Sequence, residues 1–513
     1  MKIGSLSKLP IYLMCAFYKA IITCCAILSI AFSTSVFAKG PQFTFDFNTN
    51  CLKAYQYELA MHFTEANQIM AEELKANPYN LLPTFLADYE DCLTLLLNCD
   101  MYDYNKRVGN MDIRLKALET GDKNSPWYRY CQSGIYMHWA LVNLQCGEQL
   151  KAALKFRKCF ALLKENEKLF PAFEYNQYIA SMQEAVVGSL PGSYKWIATV
   201  FGYKGNIKKG MAGMARFVNT HNASQPLYAE SQLFYLYARF YLAFEQKEAW
   251  EYMNSTGFIT QNNLLNTYVK ASLALDYHKA DGAIELINAM QTDVSYNTYP
   301  IFKHKMGLAL LTRLDSNCID YFKQYLKDNK SDRYIKDCWQ KMAYAHYLSG
   351  NIFQANYCRL QAKTQGKARL EVDKQAVKFA DGSLWPDRNL LKARWLTEGG
   401  YTSKAFEILH TLNHNEITEL PEKAEYFYRL GRVYQESGDT KRALEYYQYA
   451  IYTGKNLHEQ FAARAALQKG IIYEHNGMLA LAKTSYKECL DMPSHDFQNS
   501  IDQQAKAGLN RVE

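Results

Sequence analysis

The chain has 513 residues, 49% of them hydrophobic and 21% charged, with 12 Pro and 26 Gly. That composition excludes a disordered, collagen-like or low-complexity protein and demands large buried cores. Lys and Arg total 58 against 51 Asp and Glu; removing Lys2, Lys8 and Lys19, which lie in the first 38 residues, leaves 55 against 51, an excess of +4, too small to point to nucleic acid or a strongly acidic membrane.

Residues 1–38 read as an export signal. Basic Lys2, Lys8 and Lys19 precede an apolar run over 20–32, followed by Ser33-Thr34-Ser35 and the small-x-small triplet Val36-Phe37-Ala38, which predicts cleavage after Ala38. Left uncut, residues 20–38 are long enough to serve as an anchor. The expected location is the periplasm or cell envelope. Lipid attachment is not expected, because Cys24 follows Thr23, with Lys19 close upstream. Of the 13 cysteines, ten follow the signal. Cys92 and Cys99 share one helix-like run, where a rise of about 1.5 Å per residue puts them roughly 10 Å apart, beyond disulfide reach. The ten read mostly as buried small apolar residues, with one or two bridges among Cys51, Cys92, Cys99, Cys131, Cys146 and Cys159. Asn222, Asn254 and Asn329 begin Asn-x-Ser/Thr triplets that carry sugars if the source is eukaryotic.

After Ala38 the apolar pattern is helical and repeats. In 39–188, Ala54, Tyr57, Ala66 and Met70, closed by Pro78, have the spacing of a helix pair, and this segment reads as divergent helical repeats. Residues 189–216 interrupt the pairs: Pro191-Gly192 precedes Trp196 and then Gly202, Gly205, Gly210 and Gly213. Gly205 and Gly210 have the spacing of a phosphate loop, but Met211 and Ala212 stand where Lys and Ser or Thr must contact phosphate and magnesium, so these glycines read as a turn or a close helix approach. Residues 217–365 resume helix pairs over 235–252, 268–290 and 302–326, then Trp339, Ala343, Gly350 and Ala355. Residues 366–389, with alternating charges and Trp385-Pro386, read as a longer connection.

The pattern is clearest in 390–513. Ala393, Gly400 and Ala405 open it; Phe427, Leu430, Gly431, Tyr434, Gly438, Ala443, Tyr447 and Ala450 follow; Gly470, Tyr473, Gly477, Ala482, Tyr486 and Cys489 repeat it, with Pro493 at the end. Leu430 and Tyr434 share a helix face, Gly438 supplies the turn, and Gly431 and Ala443 sit where two helices approach closely. Tyr434, Tyr447, Tyr473 and Tyr486 read as core positions.

These residues resemble the tetratricopeptide repeat family, whose unit is a helix pair of about 34 residues, and the chain after the signal has room for about a dozen units. The resemblance implies an all-α, tetratricopeptide-like helix-pair solenoid wound as a right-handed superhelix. Residues 189–216 also resemble, in Leu190-Pro191 and Gly202-Tyr203-Lys204-Gly205, a segment of the inclusion body clearance family of tetratricopeptide proteins, which implies a packing role at the junction of two helical halves.

In tetratricopeptide proteins the first helix of each unit lines a concave groove. Carried over by position, the groove residues here are Tyr344, Tyr347, Arg394, Tyr428, Arg432, Gln435, Arg464, Glu474 and His475. Arg394 and Arg432 hold the same place in successive units, placed to grip carboxylates of an extended partner; simple solvation of the two charges is the favoured reading. The family's chaperone-tail clamp needs Lys and Asn in the groove, and Arg at one of those places means that activity is not carried over.

No motif for catalysis or a cofactor is present. His410 and His414, four apart, read as a solvated helix end rather than a metal pair, and neither a nucleophile elbow, a zinc-protease pair nor a dinucleotide fingerprint occurs. The expectation is an exported, non-catalytic scaffold without cofactor or metal, binding a protein or peptide, its oligomeric state open. A surface glycan-binding protein on a tetratricopeptide core is the alternative, suggested by 40 Tyr, and a catalytic domain within 39–216 is a third reading.

Overall fold

The computed structural model describes residues 42–190, 205–258, 263–382 and 384–512; the signal segment 1–38 and the Pro191 to Lys204 part of the glycine-rich junction lie outside them. The described residues from Thr44 onward form one unit.

Among the described residues 24 α-helices follow one another. The first eight are α1 (Thr49–Ala60), α2 (Phe63–Ala76), α3 (Leu82–Asn98), α4 (Met101–Leu118), α5 (Pro126–Gln145), α6 (Gln149–Leu169), α7 (Glu174–Gly188) and α8 (Ile207–Thr220). The middle of the chain supplies α9 (Tyr228–Tyr237), α10 (Gln246–Met253), α11 (Leu264–Asp276), α12 (Ala280–Ala289), α13 (Ile301–Thr312), α14 (Cys318–Asp328), α15 (Ile335–Leu348), α16 (Ile352–Thr364) and α17 (Glu371–Asp381). The last seven are α18 (Arg388–Gly399), α19 (Thr402–His410), α20 (Leu420–Glu436), α21 (Thr440–Gly454), α22 (Phe461–His475), α23 (Leu479–Leu490) and α24 (Gln498–Val512). A π-helical turn, Ala238–Leu242, continues α9. The only β feature among the described residues is an isolated bridge between Thr44 and Asn80. The fold is an all-α helix-pair solenoid. Among the described residues no helix is long and apolar enough to cross a membrane.

The repeat unit can be followed residue by residue in α20 and α21. Pro421 sits in the first turn of α20, where its missing N–H costs nothing. Every residue from Ala424 to Tyr434 is buried, with Leu430 and Tyr434 sharing one face. Gly438 then takes φ +82°, the left-handed conformation that a glycine adopts without strain, and the Asp439 N–H donates back to the Tyr434 carbonyl at 2.9 Å. The Asp439 side chain caps α21 by accepting from the Arg442 N–H at 3.0 Å. One unit later, Gly477 at φ +71° makes the same turn between α22 and α23.

Gly431 and Gly470 have a different purpose. A Cβ on Gly431 would lie 2.5 Å from the Tyr447 ring, and one on Gly470 equally close to the Tyr486 ring. Tyr447 and Tyr486 are both 0% exposed, so each glycine makes the hole that a tyrosine of the second helix fills. Tyr434 is buried as expected. Tyr473 is half-buried, because Ile472 beside it takes the inward position.

Two segments depart from their expected form. Residues 366–389 are not a bare connection: 371–381 form α17, which packs on α15 and α16. Its buried Asp373 accepts from the backbone N–H groups of Tyr334 and Asp337 at 3.2 and 3.1 Å, capping α15 from another helix. The described part of the glycine-rich junction is the start of α8, and a Cβ on Gly210 would meet the backbone of Ala185 and Ser181 in α7. These glycines therefore allow close helix packing. All ten described cysteines are free and buried, so the one or two expected bridges are not closed; Cys99 and Cys146 are nevertheless in contact.

Candidate functional site

The repeats from α9 to α24 surround a cavity of about 1600 Å³. Its wall is built from the first helices of successive units, α13, α15, α18, α20 and α22, with α24 at the end. Arg511 of α24 reaches across to donate to the carbonyl of Ala243 at 2.5 Å, just past the π turn. Ala243 ends that helical run, and the last carbonyls of a helix lack intrahelical partners and accept from outside donors. This bond ties the C-terminal helix to the middle repeats across that side of the groove.

Eight of the nine expected groove residues line this cavity: Tyr344, Arg394, Tyr428, Arg432, Gln435, Arg464, Glu474 and His475. Tyr347 does not. Its ring stacks on Trp385 at 4.5 Å and 14°, and its hydroxyl donates to the Pro386 carbonyl at 3.1 Å, so it anchors the chain that follows α17.

The two arginines are already occupied. Arg394 donates through Nε to Oε1 of Glu425 at 2.6 Å and through Nη2 to Oε2, a bidentate pair with a carboxylate only 3% exposed. Arg432 donates to Gln468 and to Glu436, each at 3.1 Å. Both guanidiniums are thus engaged within the protein, where the sequence favoured simple solvation over a grip on a partner. Arg429, which the sequence reading passed over, links Glu425 to Glu398, donating to the latter at 2.6 Å. At the far end Glu474 accepts from Arg511 at 2.6 and 2.9 Å and from the Tyr486 hydroxyl at 2.5 Å.

These pairs fix the charge states along the wall. Burial raises the Glu425 carboxyl, but Arg394 and Arg429 outweigh it and hold it below the ordinary range. For Glu398 desolvation is likewise outweighed, chiefly by Arg429 with Arg464 adding to it. Burial pushes His278 and His304 down, so both imidazoles are neutral at pH 7. The Nε2–H of His304 is therefore the donor to Asp337 at 2.9 Å.

Less constrained groups also face the cavity. His475, in the last turn of α22, is exposed. Arg464 donates only to Gln460, a neighbour on the same helix turn, at 2.5 Å and rests over the Phe497 ring. Tyr428 packs its ring on Tyr447 and Phe461.

Glu398, Glu425, Arg429, Gln468 and Arg511 were missed in the sequence, yet a signal for them exists. Arg394 and Glu425 are 31 residues apart, Glu398 and Arg429 are 31 apart, Arg432 and Gln468 36, and Glu474 and Arg511 37. Each spacing is close to one repeat unit, so partners on first helices of neighbouring units fall side by side. His410 packs on Phe406 at 4.1 Å and His414 lies beside the Tyr426 and Phe427 rings; among the described residues no group of three or more His, Cys, Asp and Glu is arranged to hold a metal ion.

Residues 424–453 and 463–496 match the tetratricopeptide repeat family, and the α20–α21 and α22–α23 pairs are tetratricopeptide repeats. No curated protein matches the chain. Among solved structures it is similar to the APC/C hetero-tetramer Cut9-Hcn1, with 13% identity over 92% of this chain and 100% of that one at a TM-score of 0.28. It is also similar to the P58(IPK) TPR domain, with 12% identity over 80% of this chain and 94% of that one at a TM-score of 0.21. The repeat assignment rests on the family match and on the helix pairs themselves, and a repeat array of this kind is suited to protein–protein interaction.

Proposed function

We propose that this protein is exported to the cell envelope and acts there as a non-catalytic scaffold, holding an extended protein or peptide segment in the cavity. One observation carries the reading: eight side chains from four successive first helices converge on a single cavity of about 1600 Å³. Small-molecule pockets are typically about 300–1,000 Å³, and this volume suits a segment of polypeptide better. The ion pairs along the wall hold one another, so they shape the cavity instead of supplying free charge. Contact with a partner falls to Arg464 and His475, with the small exposed edge of the otherwise buried Tyr428 beside them. Export is supported by the order of basic, apolar and small residues in 1–38.

A membrane-bound library of random peptides, probed with the purified chain and with Arg464→Ala and His475→Ala, tests the groove. The expected result is retention of a subset of peptides, weakened about tenfold or more by either substitution with the helical circular dichroism unchanged. A glycan array is probed in parallel. Retention of sugars and no peptides, lost with Tyr428→Ala, would favour the glycan-binding alternative and sink the peptide reading. Mass spectrometry of the envelope fraction tests export: the expected N-terminus is Lys39.

A further inference from the structure

Two thiols in the N-terminal repeats are placed against each other by the ends of two helices. Cys99 follows α3 and takes φ +48°, a left-handed residue that ends the helix, with its N–H donating to the Leu95 carbonyl at 2.9 Å. Cys146 follows α5, its N–H donating to Val142 at 2.9 Å. A side-chain hydrogen bond from Gln145 to the Leu96 carbonyl at 3.0 Å ties the two helix ends together. The sulfurs are 3.3 Å apart, about 1.3 Å longer than the ~2.0 Å of a disulfide. Both residues are buried, 6% and 3% exposed.

Their surroundings differ from those of the other cysteines. Burial pushes the thiols of Cys51, Cys159, Cys318 and Cys489 up to about 12. Cys99 instead comes down: the hydrogen bond with Cys146 is the largest cause, burial opposes it, and the guanidiniums of Arg333 and Arg369 add to it. Cys146 is raised, first by the same hydrogen bond and then by burial. The two guanidiniums favour a thiolate at Cys99, which suits it to attack first, with Cys146 beside it to resolve. Arg333 and Arg369 come from the α14–α15 and α16–α17 turns, and Arg369 also approaches the Cys146 carbonyl at 3.5 Å. The pair therefore lies where the N-terminal repeats touch the middle ones.

We propose that Cys99 and Cys146 form a disulfide that staples the ends of α3 and α5. The chemistry is thiol–disulfide exchange with a small or protein disulfide. The Cys99 thiolate attacks one sulfur of the oxidant, forming a mixed disulfide and releasing one thiolate. Cys146 then gives up its proton and attacks Cys99 Sγ, displacing the second thiolate. Two protein thiols and one external disulfide become one protein disulfide and two external thiols. Closing the bond removes the Cys99 thiolate from between Arg333 and Arg369, so the contact with the middle repeats loosens as the helix ends are locked. The inference is independent of the groove reading.

The test uses the full chain under native conditions in graded mixtures of oxidised and reduced glutathione, quenched with acid, alkylated and read by peptide mass spectrometry. The expected result is a Cys99–Cys146 cross-linked peptide that appears before any other cysteine is modified. In Cys146→Ser, Cys99 is expected to accumulate as a glutathione adduct, since the resolving thiol is gone. The thermal midpoint of the wild type is expected to rise by several degrees on oxidation, a rise absent in Cys99→Ser and Cys146→Ser and retained in Cys159→Ser. Full alkylation of both cysteines at every ratio, or a cross-link from either to a different cysteine, overturns the proposal, and both are read on the wild type alone should a serine variant fail to fold.

Discussion

Replacing Glu58 by Gln is expected to stabilise the N-terminal repeats, and by more as the pH rises. Glu58 lies on α1 at 0% exposure, and neither carboxylate oxygen has a hydrogen-bond partner. Its neighbours are the carboxylates of Glu90, Asp91 and Asp88 and the guanidinium of Arg114. Arg114 is committed elsewhere, to Asp88 at 2.8 Å and Asp91 at 2.6 Å, and Arg107 to Asp91 at 2.6 Å and Asp103 at 2.9 Å. Asp88 also accepts from Trp139 at 3.1 Å and meets His138 at 2.9 Å. Burial, then the charge of Glu90, push Glu58 up to about 9, with Arg114 opposing.

A carboxyl whose folded pKa is raised contributes stability in full below its unfolded pKa and loses it as the pH climbs toward the folded one. For Glu58 that window runs from the ordinary value of 4.5 to about 9. Each pKa unit is worth about 1.4 kcal/mol, so roughly 4 kcal/mol disappears between about pH 5 and pH 8. Glu58→Gln keeps the shape and removes the titration. Urea unfolding of both proteins across that range, with hydrogen exchange of α1 and α3 as a local readout, measures the difference; a local readout is needed because a repeat array need not unfold in one step. A difference that stays constant from pH 5 to pH 8 would refute the reasoning.

Two glycine-to-alanine changes of equal chemistry are expected to have opposite signs. Gly431→Ala pushes a methyl to 2.5 Å from the Tyr447 ring, where overpacking of about 1–3 kcal/mol exceeds the roughly 1 kcal/mol gained in helix propensity; Gly282→Ala on α12 meets nothing within 4 Å and gains about 0.5–1 kcal/mol. Paired thermal melts and hydrogen exchange of α20 and α12 read both, and equal signs would count against the packing argument. Arg394→Met leaves Glu425 with Arg429 as its remaining ion-pair partner at a site 3% exposed and is expected to cost about 3–5 kcal/mol. In a double-mutant cycle with Glu425→Gln the two losses should fall well short of adding; additive losses would mean the pair is not coupled.

The repeat period was legible because it is local. Gly400, Gly438 and Gly477 announce turns, and each has positive φ; Ala443, Ala450 and Ala482 announce close approach, and each is 0% exposed. Residues 371–381 read as a connection because six of the eleven are polar or charged and Trp385-Pro386 follows, though Val372, Ala376 and Phe379 have the four-and-three spacing of a helix. Arg394 lines the cavity, but its pairing was not legible locally, since its partner Glu425 stands on another helix 31 residues away.

By itself the sequence determined the helix pairs, their turns and the face that each first helix presents, because these depend on side chains within a few residues of one another. Only the tertiary structure decided which charges are spent on one another, that Arg511 ties the C-terminal helix to the middle repeats, and that Cys99 meets Cys146. Those outcomes depend on the angle at which successive pairs stack. Small rotations between units add up along the array, and no short stretch of residues encodes their sum.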